Sequence, residues 1–299
     1  MARAAIDIGS NSILLTVLDA KGAVLHDEAR VVGLGTGLGD RGLFKPDRIA
    51  AAEAVIDDYL AAARRHGVEP WQIKAVATSA ARRAMNAETW FSRLMSKTGL
   101  RVRIIAGDDE ARLTWLGALR DLDIAPGPVL VVDLGGGSTE LVLGDGDDLL
   151  GRTSIELGSA RLTEAFLGRS EGGMPDPGGL ARMRNHVDVV LGSVSLDPRP
   201  RTIVAVAGTA TTLAATHLGL TAYDSAKVHG SQLTRTDLAG FVDRLLTASA
   251  DERRTLFAVS PARADYMLAG VTVLDRVLVS ARRQSMRISD RGLRFGVLA

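Results

Sequence analysis

The feature that most constrains this chain is a repeat. Asp7-Ile8-Gly9-Ser10-Asn11-Ser12-Ile13-Leu14-Leu15 can be laid on Asp133-Leu134-Gly135-Gly136-Gly137-Ser138-Thr139-Glu140-Leu141. Identical residues fall at 7/133, 9/135, 12/138 and 15/141, a constant offset of 126. In each copy an apolar run ends at the Asp, a Gly/Ser turn follows, and a second apolar run begins. That pattern reads as strand, tight turn, strand. A chain with two such units is expected to hold two related α/β domains facing each other across a cleft. The expected domains are 1–124 and 125–299, with the last helix packing back on the first domain.

The rest of the pattern supports that division. After the first meander, which runs to residue 35, Pro46 opens a helical apolar stripe that Gly67 stops. A strand at 73–78, a helical stretch at 79–99, a strand at 102–107 and a helix at 108–121 follow. The PGP break at 126–128 precedes the second copy, whose VLVVDL run suits a buried strand. Downstream, helices are expected at 161–167, 180–194, 235–248 and 261–280, and a strand at 202–208 leads into the helix start GTATTLAATHLG. The stretch 169–179 is linker-like and reads as a surface loop.

Composition removes several chemistries. The 299 residues include no cysteine, which excludes disulfides, thiolate-bound metals and a Cys nucleophile. The five histidines show no metal-ligand spacing. A net charge of +1 provides no field for DNA, and 4% aromatics leave few stacking platforms for single strands. No nucleic-acid partner is therefore expected. No apolar run approaches 18 residues, so no membrane span or export signal is expected, and a cytoplasmic setting is. Five of the 36 basic residues are lysine, leaving 31 arginines, whose forks suit phosphate oxygens.

A Gly/Ser-rich turn between strands places several N–H groups in one concavity. Each turn reads either as a plain hairpin or as an anion nest, and two nests facing one cleft can grip successive phosphates. Gly208-Thr209-Ala210-Thr211 after a strand would add a helix N-terminus. Asp7, Asp133 and Glu140 beside these turns suit Mg²⁺, or another divalent cation, held by few protein oxygens. The alternative for the Asp residues is turn capping. Asp108, Asp109 and Glu110 either complement a helix dipole or supply a general base for water. Arg82-Arg83 read either as a phosphate clamp or as a solvated face.

Eight segments then point to one family: AAIDIGSNS (4–12), ATSAARRAMN (77–86), GDDEARLTWLGAL (107–119), VVDLGGGSTELVLG (131–144), LGSARLTEAFL (157–167), VAGTATTLAA (206–215), RADYMLAG (263–270) and ISDRGLRFGVL (288–298). In order, they resemble the signature segments of the exopolyphosphatase/guanosine pentaphosphate phosphatase (Ppx/GppA) family across almost the whole chain. The resemblance implies two ribonuclease H-like domains of the acetate kinase, sugar kinase, chaperone and actin superfamily, with the active site in the interdomain cleft. It implies Glu110 as general base and Asp133 and Glu140 as metal and water-orienting carboxylates. The implied phosphate contacts are Ser10, Asn11 and Ser12; Gly135, Gly136, Gly137 and Ser138; Gly208, Thr209, Ala210 and Thr211; and Arg82.

The resulting expectation is a Mg²⁺-dependent phosphohydrolase that releases the terminal phosphate of inorganic polyphosphate and forms a homodimer. Alternatives are a guanosine pentaphosphate phosphohydrolase, a non-catalytic sensor of guanosine penta- or tetraphosphate, and a sugar- or acetate-kinase-like phosphotransferase. The chain resembles the short two-domain form of the family, for which distributive cleavage and a preference for short chains are expected. An acidic residue usually stands where this chain has Phe295, a change expected to alter a dimer contact or a second ligand site.

Overall fold

A computed structural model of the chain describes residues 1–38, 42–146, 148–168 and 175–299. The chain forms two compact units, one of Met1–Gly117 with Leu293–Ala299 and the other of Ala118–Gly292. Each is organised around its own sheet.

The first unit opens with β1 (Arg3–Ile8), β2 (Ser12–Leu18) and β3 (Val24–Val31). α1 (Pro46–Arg65), β4 (Lys74–Ala77), α2 (Ser79–Arg83), α3 (Ala87–Thr98), β5 (Val102–Ile104) and α4 (Gly107–Leu119) follow. The sheet order is β3-β2-β1-β4-β5, antiparallel among the first three strands and parallel from β1 to β5. Ile6, Ile8, Ile13, Leu15, Ile56, Tyr59 and Trp90 form its core. The helical stretch expected over 79–99 is two helices, and the strand expected over 102–107 ends at Ile104, because Gly107 already opens α4.

The second unit repeats the plan. β6 (Val129–Leu134), β7 (Thr139–Asp145) and β8 (Asp148–Ile155) form its meander. α5 (Ser159–Phe166), α6 (Pro177–Gly192), β9 (Thr202–Val206), α7 (Ala207–His217), α8 (Ser225–Val228) and β10 (Gln232–Thr234) come next. α9 (Arg235–Thr247), α10 (Ala250–Leu256), α11 (Met267–Ala281) and β11 (Ser285–Ile288) complete it. The sheet order is β10-β11-β9-β6-β7-β8. The helix expected over 261–280 begins as a 3₁₀ turn, Pro261–Tyr266, and becomes α-helical at Met267. Within the linker-like stretch 169–179, residues 169–174 lie outside the described residues, and Pro177 opens α6 with Asp176 as its N-cap.

The repeat holds at the level of hydrogen bonds. Asp7 sits opposite Leu14, and Asp133 opposite Glu140. Gly9 N–H donates to the Ser12 carbonyl at 3.0 Å, and Gly135 N–H to the Ser138 carbonyl at 3.0 Å. The ladder shifts register between Val17 and Leu18 in one unit and between Leu143 and Gly144 in the other. All these positions differ by 126, so even the bulge is shared.

The closing helix, α12 (Leu293–Val297), belongs to the first unit. Leu293, Phe295, Val297 and Leu298 pack with Ala5, Leu18, Val76 and Ile105. Phe295 is 1% exposed and packs as a core residue, so it does not itself present the dimer contact or second ligand site expected at that position.

Candidate functional site

In the first unit the site is built where β1 and β4 end side by side. Asp7 is the Cα partner of Val76, and α2 begins two residues beyond β4's last residue. Arg82 on α2 donates through Nη1 to the Ile105 carbonyl at 2.9 Å and to Glu110 Oε2 at 2.8 Å. Both bonds use one nitrogen, which leaves Nε and Nη2 of the fork without a partner among the described residues. Glu110, in the first turn of α4, is half-buried, whereas Asp108 and Asp109 are exposed. Burial pushes the Asp7 carboxyl up to about 7; the Arg294 charge opposes this and Glu110 adds to it. Asp7 Oδ1 is sealed from solvent and has no hydrogen-bond partner among the described residues.

The turn after Asp7 is strapped from outside. Val32 and Gly33 N–H both donate to the Asn11 carbonyl at 2.8 Å, and Gly35 N–H to the Ser10 carbonyl at 2.7 Å. With its carbonyls occupied, the turn presents the exposed Ser10 and Asn11 and the half-buried Ser12, whose side chains have no partner among the described residues.

The second unit shows the same construction. Ser159 N–H donates to the Gly135 carbonyl, and Ala160 and Arg161 N–H to that of Gly136, each at 3.0 Å. Arg161 Nε reaches the Gly137 carbonyl at 2.9 Å. The carbonyls of the GGG turn are thus consumed by the start of α5, whereas the N–H groups of Gly136 and Gly137 have no partner among the described residues, an arrangement that suits an anion. Asp133 and Glu140 stand opposite each other on adjacent strands and so share a sheet face. Ser138 and Ser154 hydroxyls both donate to Glu140 Oε1, at 2.7 and 2.8 Å, leaving Oε2 without a partner among the described residues.

Gly208 follows β9, the parallel neighbour of β6, so its turn lies at the adjacent strand end. Ala207, just before it, adopts a left-handed φ of 67°. Ala210 is fully buried, Thr209 packs against Gly270, and the Thr211 hydroxyl donates back to the Ala207 carbonyl at 3.2 Å. The Thr211 hydroxyl is thus engaged within the helix, while Thr209 sets its methyl against Gly270.

Two arginines escaped the sequence reading. Arg294 on α12 is buried and donates through Nη2 to Asp27 at 3.3 Å, while its charge acts on Asp7. Its place in ISDRGLRFGVL was the available signal, though nothing along the chain pointed to Asp27. Arg263 lies against Gly208; a Cβ there would fall 1.1 Å from its Nη1. Its place in RADYMLAG was the available signal, since that segment matched the family without an assigned role.

For a metal, the donor set is sparse. Among the described residues no three His, Asp or Glu side chains gather as a cation cage. Asp133 and Glu140 form a pair, and Asp7 belongs to the other unit, beside Glu110. Two hard carboxylates with an unused Oε2 fit Mg²⁺, which keeps several water or substrate oxygens.

Comparison with known proteins settles the family. Residues 16–299 match the model of the Ppx/GppA phosphatase family. The chain belongs to this family. It is 35% identical over 311 residues to exopolyphosphatase 2 of Mycobacterium tuberculosis, covering 98% of this chain and 96% of that one. It is 28% identical over 304 residues to exopolyphosphatase 1 of Mycobacterium bovis, covering 98% and 86%. A crystal structure of the Aquifex aeolicus Ppx/GppA family member superposes with a TM-score of 0.86 at 34% identity, covering 100% of this chain and 96% of that one. This Ppx/GppA chain is thus a phosphohydrolase with the α/β fold of its family, and the kinase-like reading is set aside. Among the described residues no helix is long and apolar enough to cross a membrane.

Proposed function

We propose that this Ppx/GppA phosphatase is an exopolyphosphatase, removing the terminal phosphate from inorganic polyphosphate. The observation that carries the reading is the Glu110–Arg82 pair at 2.8 Å. A carboxylate held by one guanidinium nitrogen, with the rest of the fork unused, can orient water and meet a phosphate at the same place. The polyphosphate substrate is supported by the exopolyphosphatases to which the chain is similar.

Glu110 accepts a proton from water as the oxygen attacks the terminal phosphorus. The bond from that phosphorus to its bridging oxygen breaks, and the shortened chain leaves as the anion. Arg82 and the N–H edges of the Gly/Ser turns neutralise charge on the transferred group. Asp133 and Glu140 would hold Mg²⁺, with Asp7 of the first unit a separate candidate, and the ion would supply charge neutralisation at phosphate oxygens.

The test is phosphate release from short polyphosphate, long polyphosphate and guanosine pentaphosphate, side by side, with Mg²⁺ and after EDTA. Release from polyphosphate that EDTA abolishes supports the reading. Faster release from guanosine pentaphosphate than from either polyphosphate replaces it with the nucleotide activity. Tight binding of a guanosine phosphate without any release replaces it with a sensor.

A further inference from the structure

Lys45 is placed at a cost. It is the N-cap of α1, a 20-residue helix, and provides no side-chain cap. Ser, Thr, Asp or Asn at that position would satisfy an orphan N–H. A cation at a helix N-terminus also opposes the helix dipole. The side chain turns back over the strap that holds the Ser10–Ser12 turn. A Cβ at Gly37 would fall 2.5 Å from Lys45 Cε and 2.6 Å from Nζ, so the ammonium lies directly on the strap's backbone. Two residues earlier on the strap, Gly35 binds the Ser10 carbonyl, and a Cβ there would touch Ser10 at 3.3 Å.

The ammonium has no acidic or carbonyl partner among the described residues. Three of the other four lysines are engaged: Lys74 with the Val297 carbonyl, Lys97 with Glu53 and Asp57, and Lys227 with Asp224. An exposed cation held against the brace of an anion-binding turn, with no counter-charge on it among the described residues, suits an anionic ligand.

We propose that Lys45 is a substrate-binding residue that takes a phosphate of the polyphosphate chain next to the one at the Ser10–Ser12 turn. The inference rests on the polyphosphate reading above. Lys45 touches no reacting atom in it; it adds affinity for a chain of phosphates over a single one.

Lys45→Ser separates the two effects, because it restores the cap while removing the charge. The expected result is a higher Tm together with a roughly three- to tenfold rise in KM for polyphosphate at unchanged kcat. The loss shrinks in high salt, which screens an exposed contact, and Lys45→Arg keeps the wild-type KM. Calorimetric binding of tripolyphosphate without Mg²⁺ reads the same difference independently of turnover. If the wild type binds polyphosphate but releases no phosphate, the activity reading fails while the binding comparison still decides the role of Lys45. An unchanged KM and unchanged binding in Lys45→Ser overturn the inference, as does a wild type that binds no polyphosphate.

Discussion

At the scale of single residues, two carboxylates carry opposite demands. Glu110 must remain an available base, and Arg82 keeps its Oε2 in a charge-assisted bond of 2.8 Å. Glu110→Gln keeps the shape and removes the basicity, so turnover is expected to fall about 10²–10⁴-fold while polyphosphate binding persists. Near-wild-type turnover in the Gln variant would remove Glu110 from its role. Asp7 is different, because burial raises its carboxyl to about 7. In the unfolded chain it titrates near the ordinary 3.8. Between these values the folded protein binds more protons than the unfolded one. Stability therefore falls as pH rises from about 4 to 7, and the whole penalty is present above 7. Metal-free Asp7→Asn is expected to gain Tm over the wild type at pH 8 and to lose most of that gain at pH 5. A pH-independent difference between the two melting curves would count against a charge-burial penalty at Asp7.

At the scale of elements, the glycine turns work only because the next segment closes on them. Gly158 ends the approach of α5 to the GGG turn. A Cβ there would fall 2.2 Å from the Gly137 carbonyl carbon and 2.3 Å from that of Gly136. Gly158→Ala must displace the turn or the helix start, so both Tm and affinity for polyphosphate are expected to fall, the latter by roughly tenfold or more. Gly151→Ala on β8 is the control, since a Cβ there meets nothing within 4 Å. It should stay within about 0.5 kcal/mol of the wild type by urea titration. Equal effects from the two substitutions would show that the turn does not depend on this close approach.

At the scale of the whole molecule, the first unit is discontinuous in sequence. It is completed by residues 293–299, whose side chains fill the space beside β1, β2 and β4. Phe295→Ala is expected to cost about 3–5 kcal/mol by opening a cavity. Phe295→Glu should cost more, because its neighbours are Ala5, Leu18, Val76 and Ile105. A Glu variant as stable as the wild type would mean that this position is solvated, against its 1% exposure.

Local patterns made much of this readable. The Asp-x-Gly-x-x-Ser repeat located both meanders because strand, turn and strand are encoded by near neighbours, and the shared bulge shows that the likeness extends beyond the quoted residues. Pro46, Gly67 and the apolar stripe between them bounded α1 for the same reason. Short elements such as α10 and β10 were not read, since a few residues carry too little periodicity. What only tertiary structure decided were contacts between residues distant in sequence. Arg82 finds Glu110 28 positions away, and Arg294 reaches Asp27 267 positions away. Thr209 and Thr211 are both buried, and the Thr211 hydroxyl bonds back to Ala207 while the Thr209 methyl packs on Gly270, contacts set by helix phase and packing. The repeat set the type and order of the elements near each turn, whereas side-chain partners depended on packing, which no local pattern records.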